Sequence, residues 1–235
     1  MQKYRHLFFD LDNTLYDFSA NSKLALKEAF QQLGLLDLLP SFDHYFDVYS
    51  QINDVLWDAY RKQQLSKEIL RGKRHYDSLL QFDIHPTLKA TEIDDRYLQV
   101  MTQQTELFPN TIEVLGELKQ RGYLIHIITN GFKEVQHHKL INTGLKPYVT
   151  DIYISEVIKA PKPAREIFDY AIKSSNARKK ESLMIGDSWE SDIVGAKNAG
   201  IDQVYFQIDG APEIPDGSEA PTYTIKDLKE LLTIL

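Results

Sequence analysis

FFDLDNTLYD, residues 8–17, closes a short apolar run with Asp10, Asp12 and Asp17. Acids are poor strand formers and like charges on one side of a chain repel. The pair is therefore either turn chemistry or held in place for a reaction. A strand turns residues i and i+2 to the same side, so Asp10 and Asp12 can face one site, while Asp17 reads as part of the exit from it. Related chemistry follows other apolar runs. LIHIIT (124–129) leads into Thr129-Asn130-Gly131, SLMIGD (182–187) into Asp187-Ser188, and Lys162 comes shortly after DIYIS (151–155). The set matches the needs of phosphoryl transfer through a covalent enzyme intermediate. One carboxylate attacks phosphorus, and a second exchanges protons with the leaving oxygen and with water. A divalent cation, Mg²⁺ by its preference for oxygen ligands, screens the charges. A hydroxyl, backbone N–H groups and an ammonium hold the phosphoryl oxygens.

The elements that must position these residues alternate. Strands are expected at 6–10, 124–129, 151–155, 182–187, 203–207 and 222–225, with helices at 111–122, 165–175, 191–200 and 227–235 between and after them. Such alternation predicts an α/β fold, a Rossmann-like parallel sheet covered by helices on both faces. Sites in open parallel sheets form outside the carboxyl ends of the strands, where Asp10, Asp12, Thr129, Lys162 and Asp187 all fall. From about Asp17 to Glu106 the pattern is helical throughout, as in 19–34, 46–64 and 67–82. That stretch is far longer than an ordinary α/β connection. It reads as an inserted all-helical cap domain at 17–106, leaving a discontinuous core of 1–16 and 107–235.

DLDNT (10–14), ITN (128–130), Lys162-Pro163 and GDSWESD (186–192) together resemble, in order and spacing, the four motifs of the haloacid dehalogenase (HAD) superfamily of hydrolases. The resemblance implies Asp10 as nucleophile, Asp12 as acid/base, Thr129 and the Asn130 backbone on the phosphate, and Lys162 bridging nucleophile and phosphate. It implies Mg²⁺ held by Asp10, the Asp12 carbonyl and Asp187, with Asp192 and Ser188 around that shell. The insertion resembles the family's helical C1 cap, which closes over the core. Dehalogenases of this fold generally lack an acid at the second position, so Asp12 favours a phosphate ester over a 2-haloacid. LWDAYRKQQLS, ITNGF, ISE and GDSWESDI resemble the pyrimidine 5′-nucleotidase branch that clears noncanonical nucleoside monophosphates. One departure lies in VIKAPKP, where that branch commonly has VGxxKP; the added bulk of Ile158 and Lys159 bears on the loop carrying Lys162. Alternatives are a phosphatase of another small metabolite such as a sugar phosphate, a dehalogenase, and a receiver-like phosphoacceptor.

Bulk properties narrow the partners. The 235 residues carry no Cys, which excludes disulfides and thiolate chemistry, and a net charge of −7 without a basic stripe argues against nucleic-acid polymers. No run is long enough for a membrane span and the N-terminus does not read as a signal peptide, so a cytoplasmic location is expected. The partner is then a small phosphorylated metabolite; oligomeric state is not written in the sequence. Each motif also has an ordinary reading. Lys162 alone would be a solvated lysine, Asp187-Ser188 a helix cap, and Asp192 a first-turn acid. His137-His138 diverge by about 100° on a helix and do not suggest a shared metal. Trp57 and Tyr60 read as cap core, whereas Tyr16 and Phe18, close to the nucleophile, are candidates for the substrate pocket.

Overall fold

A computed structural model describes residues 3–85, 90–208 and 213–235. It divides into two compact units, Met1–Phe18 with Thr105–Leu235, and Ser19–Gln104. The first unit holds a six-stranded sheet in the order β3-β2-β1-β4-β5-β6. Its strands are β1 (His6–Phe9), β2 (Leu124–Thr129), β3 (Asp151–Ile154), β4 (Ser182–Gly186), β5 (Asp202–Phe206) and β6 (Tyr223–Ile225). Every pairing is parallel; Phe9 lies opposite Ile127 on one side and Ile185 on the other. The chain moves outward from β1 through β2 to β3, then returns to place β4 on the other side of β1. The strand order therefore reverses between β1 and β4, which opens a crevice at their carboxyl ends. A receiver-type sheet runs 2-1-3-4-5 instead, so the fold departs from that alternative.

Helices α5 (Thr111–Gln120), α6 (Lys133–Asn142), α7 (Ser155–Ile158), α8 (Arg165–Ser174), α9 (Gly195–Ala199) and α10 (Leu231–Ile234) belong to this unit. The amphipathic α8 turns Ile167, Phe168, Ala171 and Ile172 onto a core shared with Phe8, Ile128, Met184 and Ala196. The helix expected at 191–200 is two pieces: a π-helical turn at Trp189–Val194, capped by Ser188, which accepts from the Ser191 N–H, and then α9. Wide turns of this kind are frequent at functional sites.

The second unit contains most of α1 (Phe18–Gln32), with α2 (Phe42–Arg61), α3 (Lys67–Leu80) and α4 (Ala90–Met101). Ser41 and Ser66 cap α2 and α3 by accepting from His44 and Ile69 N–H groups. The Ser41 cap starts α2 four residues before the first residue of the expected helix at 46–64. Its core is aromatic and partly ionic: Tyr49 stacks on His75 at 5.2 Å, and Asp94 is fully buried among arginines. No helix among the described residues is long and apolar enough to cross a membrane.

Candidate active site

Asp10 is the first residue beyond β1, tied to β4 by its N–H on the Ile185 carbonyl at 2.9 Å. It is 7% exposed, at the point where the sheet order reverses. The Lys162 ammonium lies 2.5 Å from its Oδ1, 2.6 Å from Asp192 Oδ1 and 2.8 Å from the Ile128 carbonyl. Lys162 is 2% exposed, and a buried ammonium is tolerated only when paired in this way. Although burial opposes its charge, the Asp10 and Asp192 carboxylates hold Lys162 above its ordinary range. Lys159, the other lysine in the same loop, is exposed.

The Lys162 loop is clamped from the side. Asn130 Oδ1 accepts from the Lys162 N–H at 2.8 Å, and Asn130 Nδ2 donates to the Lys162 carbonyl at 3.0 Å. The side chain of the ITN asparagine thus holds the backbone of the third motif, a role the sequence did not suggest. Thr129 is buried at the end of β2, its hydroxyl accepting from the Gly131 N–H at 3.0 Å. Aligning VGxxKP on Lys162-Pro163 puts its glycine at Lys159, which sits at φ +61°. The loop therefore keeps a left-handed turn suited to glycine, now carried by a lysine.

Across the crevice, Asp187 follows β4. Thr14 Oγ1 donates to its Oδ1 and accepts from its N–H, each at 3.1 Å. Asp192 Oδ2 accepts from the Ser188 N–H at 3.0 Å. Gly186 allows that approach, because a Cβ there would overlap the Asp192 carboxylate. Carboxylate oxygens of Asp10, Asp187 and Asp192 lie within 4.8 Å of one another, the only cluster of three or more potential metal ligands among the described residues. Burial, with Asp192 close by, pushes Asp187 up to about 7. Burial also raises Asp10 well above the carboxylate range, against the pull of Lys162. Three crowded acids facing one ammonium fit a hard divalent cation, whose charge would remove that strain; all-oxygen donors are what Mg²⁺ takes.

Asp12 is apart from that group. Its side chain, 24% exposed, points to α6, where Gln136 Nε2 donates to Oδ2 at 2.9 Å and Lys139 pairs with Oδ1. Lys139 lies over the rings of Tyr16 at 4.4 Å and Phe18 at 5.1 Å; Tyr16 is fully buried and Phe18 half-buried. Thr14, Gln136 and Lys139 were not singled out from the sequence. The available signal was two polar residues three apart on a helix face that proves buried, in contrast to exposed His137 and His138 beside them. Trp57 and Tyr60 are half-buried and touch edge to face at 5.6 Å.

The chain is 31% identical over 235 residues to the pyrimidine 5′-nucleotidase YjjG of Escherichia coli, covering 99% of this chain and 98% of that one. It is 30% identical over 240 residues to a glyceraldehyde 3-phosphate phosphatase of Pyrococcus furiosus, covering 100% and 94%. Among solved structures, magnesium-bound YfnB of Bacillus subtilis superposes with a TM-score of 0.87 at 28% identity, covering 100% of this chain and 99% of that one. The family model for haloacid dehalogenase-like hydrolases matches residues 4–200, and the chain belongs to that family.

Proposed function

We propose that this protein is a Mg²⁺-dependent phosphomonoester hydrolase acting through an aspartyl phosphate on Asp10, and that its substrate is a nucleoside monophosphate, a pyrimidine one first. The carrying observation is the division of labour between two nearby carboxylates. Asp10 is buried against Lys162 and two further acids, whereas Asp12 is partly exposed and held separately by α6. A nucleophile and a proton carrier need such different surroundings.

In the first step an Asp10 oxygen bonds to phosphorus as the ester P–O bond breaks, and protonated Asp12 gives its proton to the departing alkoxide. In the second, Asp12 as carboxylate takes a proton from water while the water oxygen bonds to phosphorus. The Asp10–phosphorus link then breaks, releasing inorganic phosphate and restoring the Asp10 carboxylate. Thr129, the Asn130 backbone and Lys162 orient the phosphoryl oxygens. Asp10, Asp187 and the Asp12 carbonyl would hold Mg²⁺, with Asp192 and Ser188 steadying the shell. When bound, the ion would screen the nucleophile from the phosphate and polarise its oxygens. The helical stretch 17–106 is assigned as the cap that excludes water and selects the leaving group, with Tyr16 and Phe18 bordering that group. A cytoplasmic location suits such a metabolite substrate.

The nucleotide assignment is supported by the resemblance to YjjG in both motifs and overall identity. A triose or sugar phosphate is the second reading, because the glyceraldehyde 3-phosphate phosphatase is similar over the same length. A 2-haloacid is disfavoured because halide leaves without a proton and Asp12 would be idle. A screen of kcat/KM over nucleoside monophosphates, triose and sugar phosphates and 2-haloacids, with acid-quench trapping of phosphate on Asp10, decides among them. Highest kcat/KM on a pyrimidine monophosphate supports the proposal; no trapped phosphate on Asp10 with any ester overturns its mechanism.

A further inference from the structure

Gln136 and Lys139 lie three residues apart on α6, on one face of the helix, and are 1% and 2% exposed. Together they engage both oxygens of Asp12, Gln136 on Oδ2 and Lys139 on Oδ1. The Lys139 ammonium is boxed in on its other side by the Tyr16 and Phe18 rings, at 4.4 and 5.1 Å. Tyr16 belongs to the same turn as Asp12, closed by the Asn13 N–H on the Tyr16 carbonyl at 2.8 Å. Gly131 completes the cradle, since a Cβ there would overlap the Gln136 amide and contact Asp12 Oδ2 at 3.1 Å. The two buried lysines of this unit therefore serve different acids: Lys162 binds Asp10 and Asp192, and Lys139 binds Asp12.

We propose that Gln136 and Lys139 are positioning residues that hold the Asp12 carboxyl group at the angle from which it exchanges a proton with the leaving oxygen. Burying a long ammonium and a primary amide is expensive unless both find acceptors. A short turn after a strand has little of its own to fix an aspartate rotamer. Two donors from a helix supply that constraint, and proton transfer loses rate steeply when the carrier is misaligned. The inference rests on the reading of Asp12 as the acid, and the test separates the two.

The test measures single-turnover phosphoryl transfer from an alkyl phosphate, whose leaving oxygen needs a proton, and from p-nitrophenyl phosphate, whose leaving group barely does. The variants are Lys139→Met, Gln136→Leu and Asp12→Asn. The expected result is a shift of the alkyl-to-nitrophenyl rate ratio by about tenfold or more in Lys139→Met, smaller in Gln136→Leu and largest in Asp12→Asn. A merely structural role for α6 would slow both esters alike. Equal slowing in the Lys139 and Gln136 variants, with selective slowing in Asp12→Asn, overturns the cradle and leaves the acid in place. Unselective slowing in Asp12→Asn overturns both. Should Lys139→Met not fold, Gln136→Leu, which removes no charge from the core, decides the matter alone.

Discussion

Both units bury charge, and they do so in opposite ways. In the helical unit Asp94 is fully buried, yet Arg74 meets it at 2.5 and 2.8 Å, Arg71 at 2.5 Å and His75 at 3.1 Å. Arg74 also donates to Asn53 at 3.2 Å. Despite burial, Arg74 and the hydrogen bond from His75 hold Asp94 well below the carboxylate range. In the sheet unit three acids, Asp10, Asp187 and Asp192, crowd together with one ammonium, which touches Asp10 and Asp192 but not Asp187, and burial drives Asp10 and Asp187 upward. A buried ion network with every charge matched is structural. One left short of positive charge is poised for a cation and an incoming phosphate, which is where perturbed acids mark function.

The contrast can be broken by exchanging an acid for its amide on each side. Asp10→Asn should lower turnover by at least about 10³-fold while the thermal midpoint holds or rises, since it removes an ill-compensated charge. Turnover near wild type in metal-replete buffer would end the nucleophile assignment. Asp94→Asn should do the reverse. It should cost about 3–5 kcal/mol in urea unfolding of the helical unit by stranding Arg74, and a loss under 1 kcal/mol would show the network to be dispensable.

Cation binding sharpens the same comparison. Saturating Mg²⁺ should stabilise the protein by about 2–3 kcal/mol at a hundredfold excess over Kd, and Asp187→Asn should abolish that gain. Because Asp187 sits at about 7, its proton must leave before a cation binds, so the gain should be larger at pH 8 than at pH 5. Stabilisation of equal size in Asp187→Asn would place the ion elsewhere.

A neutral buried pair offers a third kind of site. His6 Nδ1 and His126 Nε2 are 3.1 Å apart in the sheet core, and burial, with His6 adjacent, lowers His126 to about 4. The unfolded chain therefore takes up a proton that the folded one refuses. Stability from this residue is present above pH 6.5 and is lost as pH falls towards 4, by about 2–3 kcal/mol. His126→Leu should flatten the acid limb of stability against pH; an unchanged limb would assign it to other groups. The smallest effect concerns Lys159, whose φ of +61° suits glycine. Lys159→Gly should stabilise by up to about 1 kcal/mol in chemical denaturation, and destabilisation would mean that the lysine side chain contributes something the turn does not show.

Much of the fold was legible because strands announce themselves by short apolar runs between turns. LIHIIT is β2 residue for residue, and the other five strands shift by one residue or lose one at an end. Helix limits were less legible where a cap decides them, as at Ser41, or where the backbone departs from α geometry. The π-turn at Trp189–Val194 accompanies Asp192 reaching both Lys162 and the Ser188 N–H, contacts invisible in SDIVGAKNAG. The helical pattern of the sequence runs over 17–106, and the compact helical unit over Ser19–Gln104.

By itself the sequence determined which chemistry was on offer: Asp10, Asp12, Thr129 and Asp187 lie at or just after strand ends and Lys162 in a connection beyond β3, all in family order. Period-2 patterning and strand-end placement are local properties, readable one segment at a time. Tertiary structure alone decided most of who partners whom. Lys162 beside Asp10 was already implied by the family resemblance; the tertiary structure added Asp192 to Lys162, the Asn130 side chain to the Lys162 backbone, Thr14 to Asp187, and Gln136 with Lys139 to Asp12. Those pairs are separated by 30 to 173 positions, and only the crossing of β1 between β2 and β4 brings them within hydrogen-bond reach.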